Sequence, residues 1–266
     1  SAKFANLMHD LGLQTLVLKG VALSQYYPNP WHREYGDLDC YLYRINKDRI
    51  SWTGCYESGN SLAEKAGYKV ILGHYKHSHI QFEGLEIENH QFALPIRDGK
   101  ETKALERELR RLVENNTIPS TINNSHLNCP PSDFNALFFI AHAMNHFLYE
   151  SINFRYVLDW ALFLKAEQER IDWEKFWVWC DRMHYTRFVQ CMNYICKTYL
   201  RLQIHAFTVK DDEFIKNLSD RIIQDILDET PSPEEVAQYE KTMITNWRDM
   251  LKMFQDPEVR KRFLSF

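Results

Sequence analysis

The sequence predicts an α+β protein: a small mixed β-sheet flanked by helices, followed by an all-helical C-terminal bundle. Three observations lead there. All nine glycines lie between Gly12 and Gly99, and none follows; glycine supplies the positive-φ turns that strands need and weakens helix interiors. Residues 37–43 alternate with period two, the mark of a strand with two different faces. Beyond residue 100, apolar residues recur every three to four positions, which is helical spacing. The chain has 266 residues, and at roughly 100–200 residues per domain it holds one large domain or two modest ones. The expected division is 1–99 for the sheet core and 100–266 for the helical part, with the sheet extending to about residue 128.

The elements follow in order. Residues 4–10 end a helix that closes near Gly12, and residues 15–18 are a short apolar strand. Lys19-Gly20 makes a tight exit into a helix over 21–27, which Pro28 stops. Two prolines and Gly36 make 28–36 a loop. Residues 58–67 form a helix with Gly67 as its stop. Strands are expected at 68–72, 77–82 and 85–94, the last two joined by the hairpin-length Glu83-Gly84. Residues 101–114 form an amphipathic helix whose buried side carries Leu105, Leu109, Leu112 and Val113. A small hairpin is expected around Asn123-Asn124. Ser132 caps a long apolar helix through Tyr149, and further helices are expected at 153–169, 172–184, 186–202 and 211–228. Ser232, Pro233 and Glu235 have the order of a capping box that opens a last helix, with Val236, Tyr239, Met243, Trp247, Met250, Leu251 and Phe254 on one face.

Composition excludes several classes of function. Hydrophobic residues make up 45% and charged residues 26%, ordinary for a globular protein. A formal net charge of −4 argues against nucleic-acid binding through a broad basic surface, though not against a local basic groove. No stretch approaches the ~18 apolar residues of a membrane span. Residues 1–20 lack the basic and apolar regions of a secretory leader. Six cysteines without C-x-x-C spacing read as buried, reduced thiols. The expected location is the cytoplasm.

The chemistry concentrates at Leu18-Lys19-Gly20 and Gly36-Asp37-Leu38-Asp39. Residues two apart on a strand point the same way, so Asp37 and Asp39 present adjacent carboxylates. Like charges at that distance repel. A divalent cation removes the conflict, and Mg²⁺ favours carboxylate oxygens together with substrate phosphates. A strand, a glycine exit and a helix start just before them provide backbone N–H groups for a phosphate. These parts point to metal-assisted phosphoryl or nucleotidyl transfer.

Leu18-Lys19-Gly20, Tyr27-Pro28-Asn29-Pro30, Arg33 and Gly36-Asp37-Leu38-Asp39 together resemble the uncharacterised nucleotidyltransferase family within the DNA polymerase β-type nucleotidyltransferase superfamily. Ile87-Glu88-Asn89-His90 is similar to the family's strand in which an acid precedes a histidine by two. His142-Ala143-Met144-Asn145-His146, with Arg155 and Asp159, is similar to its helical part. The resemblance implies that Asp37 and Asp39 bind the metal ions and that Glu88 is the third, catalytic carboxylate. Glu86 is the rival, since it shares a strand face with Glu88. Lys19, Gly20, Ser24 and Arg33 are the nucleotide-binding candidates, Arg33 for its bidentate fork.

The implied cofactor is Mg²⁺ or Mn²⁺, and the implied partners are a nucleoside triphosphate and an unknown hydroxyl or phosphate acceptor. A catalytically silent nucleotide-sensing or partner-binding protein and a metal-dependent phosphohydrolase are the alternatives. Elsewhere, the His142/His146 pair reads as packed histidines rather than a zinc site. The basic residues Lys100, Lys103, Arg107, Arg110 and Arg111 read as a solvated helix face, and Trp173, Phe176, Trp177 and Trp179 as core and helix contacts.

Overall fold

A computed structural model describes residues 1–33, 36–96, 99–115, 118–119, 126–149 and 152–228. The expected hairpin at Asn123-Asn124 and the last helix at 232–254 lie outside the described residues. The described chain forms two compact units, one of residues 1–139 with 170–172, the other of 140–169 and the residues from Trp173 onward.

The first unit is built on a mixed sheet. Helix α1 (Ala2–Asp10) leads into β1 (Gln14–Val17), a single turn α2 (Val21–Ser24), β2 (Asp37–Asn46), β3 (Arg49–Ser51), α3 (Cys55–Lys65), β4 (Lys69–Ile71), β5 (His77–Phe82), β6 (Leu85–His90), α4 (Lys100–Asn115), β7 (Ile118–Pro119) and β8 (Leu127–Cys129). The strand order is β4-β5-β6-β2-β1-β8-β7, with β3 paired to β2. The β2/β6 and β1/β8 pairs are parallel and the others antiparallel.

Alternation gives the sheet two chemically different faces. Val17, Leu38, Cys40, Leu42, Ile80 and Ile87 join Phe4, Ala5 and Met8 of α1 and Cys55 and Ala63 of α3 in one buried apolar cluster. Gly59 lets α3 approach: a Cβ there would stand 2.1 Å from Leu42 Cδ1, so a residue unfavourable to a helix interior is required by the packing. The opposite face carries Asp37 and Asp39 of β2, Glu86, Glu88 and His90 of β6, and His77 and His79 of β5.

The differences from the sequence reading have physical causes. The helix expected at 21–27 closes after Ser24 into turns, with Tyr26 N–H on the Leu23 carbonyl and Tyr27 N–H on that of Ser24. Strand β6 ends at His90 rather than residue 94, because the next amides leave the ladder: Gln91 and Phe92 donate to the Lys76 carbonyl, and Ala93 and Leu94 donate to Glu106 Oε2 at 3.1 Å. Strand β3 follows a two-residue turn with Lys47 at φ 48° and Asp48 at φ 61°, a left-handed geometry usually signalled by Asn-Gly. Arg110 does not join a solvated face. Its guanidinium lies over Tyr41, Trp52 and Phe92 and donates to Glu106 Oε1.

Helix α5 (Ser132–Tyr149) spans the expected residues, and α6 (Phe154–Glu167), α7 (Trp173–Arg182), α8 (Thr186–Thr198) and α9 (Glu213–Asp228) follow. Trp160 of α6 is fully buried and donates its Nε1–H to Asn193 Oδ1 of α8 at 2.8 Å, so that a polar atom in an apolar layer is satisfied. Phe176 and Trp179 are buried, and Trp173 packs edge-on against Phe176 and Phe207. The rings of His142 and His146 meet edge to face, and both lie tilted against Tyr156. All six cysteines are buried and none is bridged. Among the described residues, no helix is long and apolar enough to cross a membrane.

Candidate active site

Register assembles the site. In the parallel β2/β6 pair, Asp37 lies opposite Glu86 and Asp39 opposite Glu88. In the antiparallel β5/β6 hairpin, His79 lies opposite Glu88 and His77 opposite His90. Strand β1 pairs with β2 so that Val17 meets Cys40, and Leu18 N–H still donates to the Asp39 carbonyl at 2.9 Å. The next residue, Lys19, therefore comes level with the two aspartates. Its Nζ lies 3.0 Å from Asp39 Oδ2 and 3.8 Å from Asp37 Oδ2. Gly20, at φ 60° and ψ −104°, turns the chain out of β1 in a conformation that a Cβ would strain.

Asp39 is 2% exposed. Its Oδ1 lies 3.1 Å from His90 Nε2, which also reaches Glu88 Oε2 at 3.2 Å. The other ring nitrogen of His90, Nδ1, donates to the Phe92 carbonyl at 2.9 Å. With a hydrogen required on Nδ1 and two carboxylates facing Nε2, the network assigns His90 as doubly protonated. Burial lowers its pKa, but the hydrogen bonds to Asp39 and Glu88 outweigh that and leave it raised.

The other charges follow the same balance. Burial pushes Asp39 up, yet the Lys19 ammonium and His90 bring its carboxyl below the usual range. Glu88 is likewise pushed up by burial and drawn well below its usual range by His90 and Lys19. Asp37, half-buried and next to Asp39, is raised, chiefly by burial and then by its neighbour's charge. Lys19 loses to burial but gains more from Asp39, Asp37 and Glu88, so it stays protonated.

Of the other expected site residues, Ser24 is buried and its Oγ–H donates to the Val21 carbonyl at 2.7 Å. Arg33 is buried just after the short 3₁₀ turn Pro30–His32. The structure thus brings Asp39, Glu88 and His90 into one cluster with ligand atoms within 4.8 Å of each other, and Lys19 ties Asp37 to it. Glu86, the rival third acid, turns instead to His79, whose Nδ1 it contacts closely, and its side chain is 51% exposed.

Sequence reasoning missed the surroundings of Glu88. His77 is 6% exposed, and its Nδ1 is buried without a hydrogen-bond partner, 3.8 Å from Glu88 Oε1. Burial, then the charges of His90 and Lys76, lower its pKa to about 2, so the ring is neutral. Lys76 lies in the same neighbourhood, its ammonium lowered by burial against the pull of Glu88 and Asp39. The usable signal was the hairpin: a two-residue turn at Glu83-Gly84 fixes which histidine faces which acid.

Adjacent carboxylates on a sheet face, held beside a lysine that leaves the neighbouring strand through a glycine turn, are an arrangement chemically suited to a metal ion and a phosphate group. A family model described as an uncharacterised nucleotidyltransferase matches residues 2–201. The chain belongs to that nucleotidyltransferase family. No curated protein and no solved structure significantly matches it.

Proposed function

We propose that the protein is a metal-dependent nucleotidyltransferase that moves a nucleoside monophosphate from a nucleoside triphosphate to a hydroxyl or phosphate acceptor, releasing pyrophosphate. The observation that carries this reading is the register pairing of Asp39 with Glu88, with Asp37 on the same face and Lys19 spanning both aspartates. The donor set fits a divalent cation: ligand oxygens of Asp39 and Glu88 lie within 4.8 Å of each other, with Asp37 on the same face, and their repulsion is offset by the cations Lys19, His90 and Lys76. Asp37, Asp39 and Glu88 are the residues to hold Mg²⁺ or Mn²⁺, which when bound polarises phosphoryl oxygens and lowers the pKa of the attacking hydroxyl.

The chain's own groups do the rest. Glu88, whose carboxyl stays ionised, is the candidate to accept the acceptor's proton. Lys19 and Arg33 offset phosphate charge, and the turn at Gly20 presents backbone close to the phosphates. Ser24 Oγ, committed to the Val21 carbonyl as a donor, keeps its lone pairs for an incoming donor. His90 holds Asp39 and Glu88 in place and keeps them ionised. Residues 1–99, with the sheet continued by β7 and β8 to about residue 128, form the catalytic core in this reading. We assign the protein to the cytoplasm, a location supported by six buried, unbridged thiols.

The test incubates the protein with Mg²⁺, each α-labelled nucleoside triphosphate and a cell extract, beside the double variant Asp37→Asn/Asp39→Asn. Label transferred by the unaltered chain alone supports the reading. Free monophosphate without a labelled acceptor replaces it with hydrolysis, and nucleotide binding with neither product replaces it with a sensor.

A further inference from the structure

Beside the carboxylate pair lies a second donor set of different chemistry. His77 and His79 occupy alternate positions of β5, so both rings stand on the site face, and the hairpin register places His79 directly across from Glu88. One ligand atom from each of His77, His79 and Glu88 lies within 4.8 Å of the other two. Two further facts make this more than a chance grouping. His77 Nδ1 is buried and unpartnered while facing Glu88 Oε1 at 3.8 Å; an orphaned polar atom in so buried a side chain is costly unless something satisfies it. The His79 ring is held at Nδ1 by Glu86, the kind of carboxylate contact that orients metal-ligating histidines.

We propose that His77, His79 and Glu88 form a binding site for a divalent first-row transition-metal ion. Two imidazoles and one carboxylate are the donors that such ions accept and that Mg²⁺, which prefers an all-oxygen shell, does not. Glu88 is shared with the site under Proposed function, so the inference extends that site, but it requires no nucleotide transfer. The arrangement makes Glu88 the link between an oxygen-only position on the β2 side and a nitrogen-bearing position on the β5 side.

Co²⁺ is the probe, since its visible absorption reports bound nitrogen donors and coordination number directly. Titrating the full-length metal-free protein with Co²⁺ is expected to give a saturable visible band with one equivalent resistant to a hundredfold excess of Mg²⁺. His79→Gln, at a partly exposed position, is expected to weaken that equivalent at least tenfold with unchanged far-ultraviolet circular dichroism. Asp37→Asn/Asp39→Asn is expected to leave it within about threefold of the parent. No saturable band in the parent, displacement by Mg²⁺, or equal binding by His79→Gln overturns the site. The two ideas fail separately: loss of nucleotide transfer with Co²⁺ binding intact sinks only the proposed function, and the converse sinks only the imidazole site.

Discussion

Asp39 and Glu88 are register partners on neighbouring parallel strands, and both carboxylates reach the same nitrogen, His90 Nε2, at 3.1 and 3.2 Å. Neither position tolerates loss of charge if the pair is the metal-holding centre. Asp39→Asn and Glu88→Gln keep size and shape, so each is expected to lower labelled-nucleotide transfer by about 100-fold or more, the usual scale for removing one preorganised electrostatic group. Glu86→Gln is expected to stay within a few-fold of the parent, because Glu86 faces His79 and solvent. Equal losses at Glu86 and Glu88 would show that the wrong acid carries the role.

Lys19 offsets the aspartates in the metal-free protein. Its side chain is 23% exposed and that of Asp39 is 2% exposed. Removing one partner of a buried pair costs about 3–5 kcal/mol, and the partial exposure of Lys19 puts Lys19→Met toward the low end. A divalent cation supplies the missing positive charge and by mass action stabilises the form that binds it. Thermal unfolding of Lys19→Met is therefore expected at a lower temperature than the parent without metal, and Mg²⁺ or Mn²⁺ is expected to raise it more than it raises the parent. A metal-independent deficit would leave Lys19 with a packing role only.

Glu106 of α4 pins the segment that follows β6. Its Oε2 accepts the amides of Ala93 and Leu94, and its Oε1 accepts from the Tyr41 hydroxyl and from Arg110 Nε. The same segment supplies the Phe92 carbonyl that holds His90 Nδ1, so a buried carboxylate remote from the acids fixes the ring between them. Glu106→Ala removes the acceptor of the Leu94 amide, of the Tyr41 hydroxyl and of Arg110 Nε, while the Ala93 amide keeps the Tyr41 oxygen and Arg110 keeps the Gln91 carbonyl; a loss of about 3–5 kcal/mol is expected in urea unfolding. Tyr41→Phe removes the donor to Glu106 and one of the two acceptors of the Ala93 amide, but leaves the Glu106–Arg110 pair and the Ala93–Glu106 bond, and is expected to cost about 1 kcal/mol. A ranking in which Tyr41→Phe costs more would move the anchor from the carboxylate to the phenol.

Much of this site was legible in the sequence because its central signal is local. Asp37 and Asp39 share a face by strand alternation alone, and Lys19-Gly20 marks the end of the preceding strand. Alternation could not rank Glu88 over Glu86, since both satisfy it; the two differ only in which cross-strand partner they meet, a long-range fact. The histidines of β5 lay within reach. Phe82 faces Leu85 across a two-residue turn, and counting outward sets His79 against Glu88. Glu106, Tyr41 and Arg110 were not readable, because nothing in the spacing of a charged amphipathic helix tells which Glu and which Arg turn inward. Strand β3 was hidden for a related reason: Lys47-Asp48 adopts a left-handed turn without the residues that announce one.

Burial of neutral acids gives the protein a steep alkaline limit. Burial pushes the thiols of Cys40, Cys180 and Cys196 well above their ordinary value of 9.0 and that of Cys191 up to about 12. Burial also raises Tyr43 to about 12. In the unfolded chain the thiols release their protons near pH 9, whereas in the folded chain they keep them. Above that pH the unfolded state binds fewer protons than the folded one, so stability is present in full below about pH 8 and falls as pH rises. Each fully shifted thiol contributes a slope of up to about 1.4 kcal/mol per pH unit. Urea midpoints measured at pH 8, 9 and 10 are expected to drop progressively, and the native thiols are expected to resist a thiol-reactive chromophore at pH 8 that labels all six at once in denaturant. A flat midpoint from pH 8 to 10, or rapid labelling of the native protein, would show that these side chains are open to water.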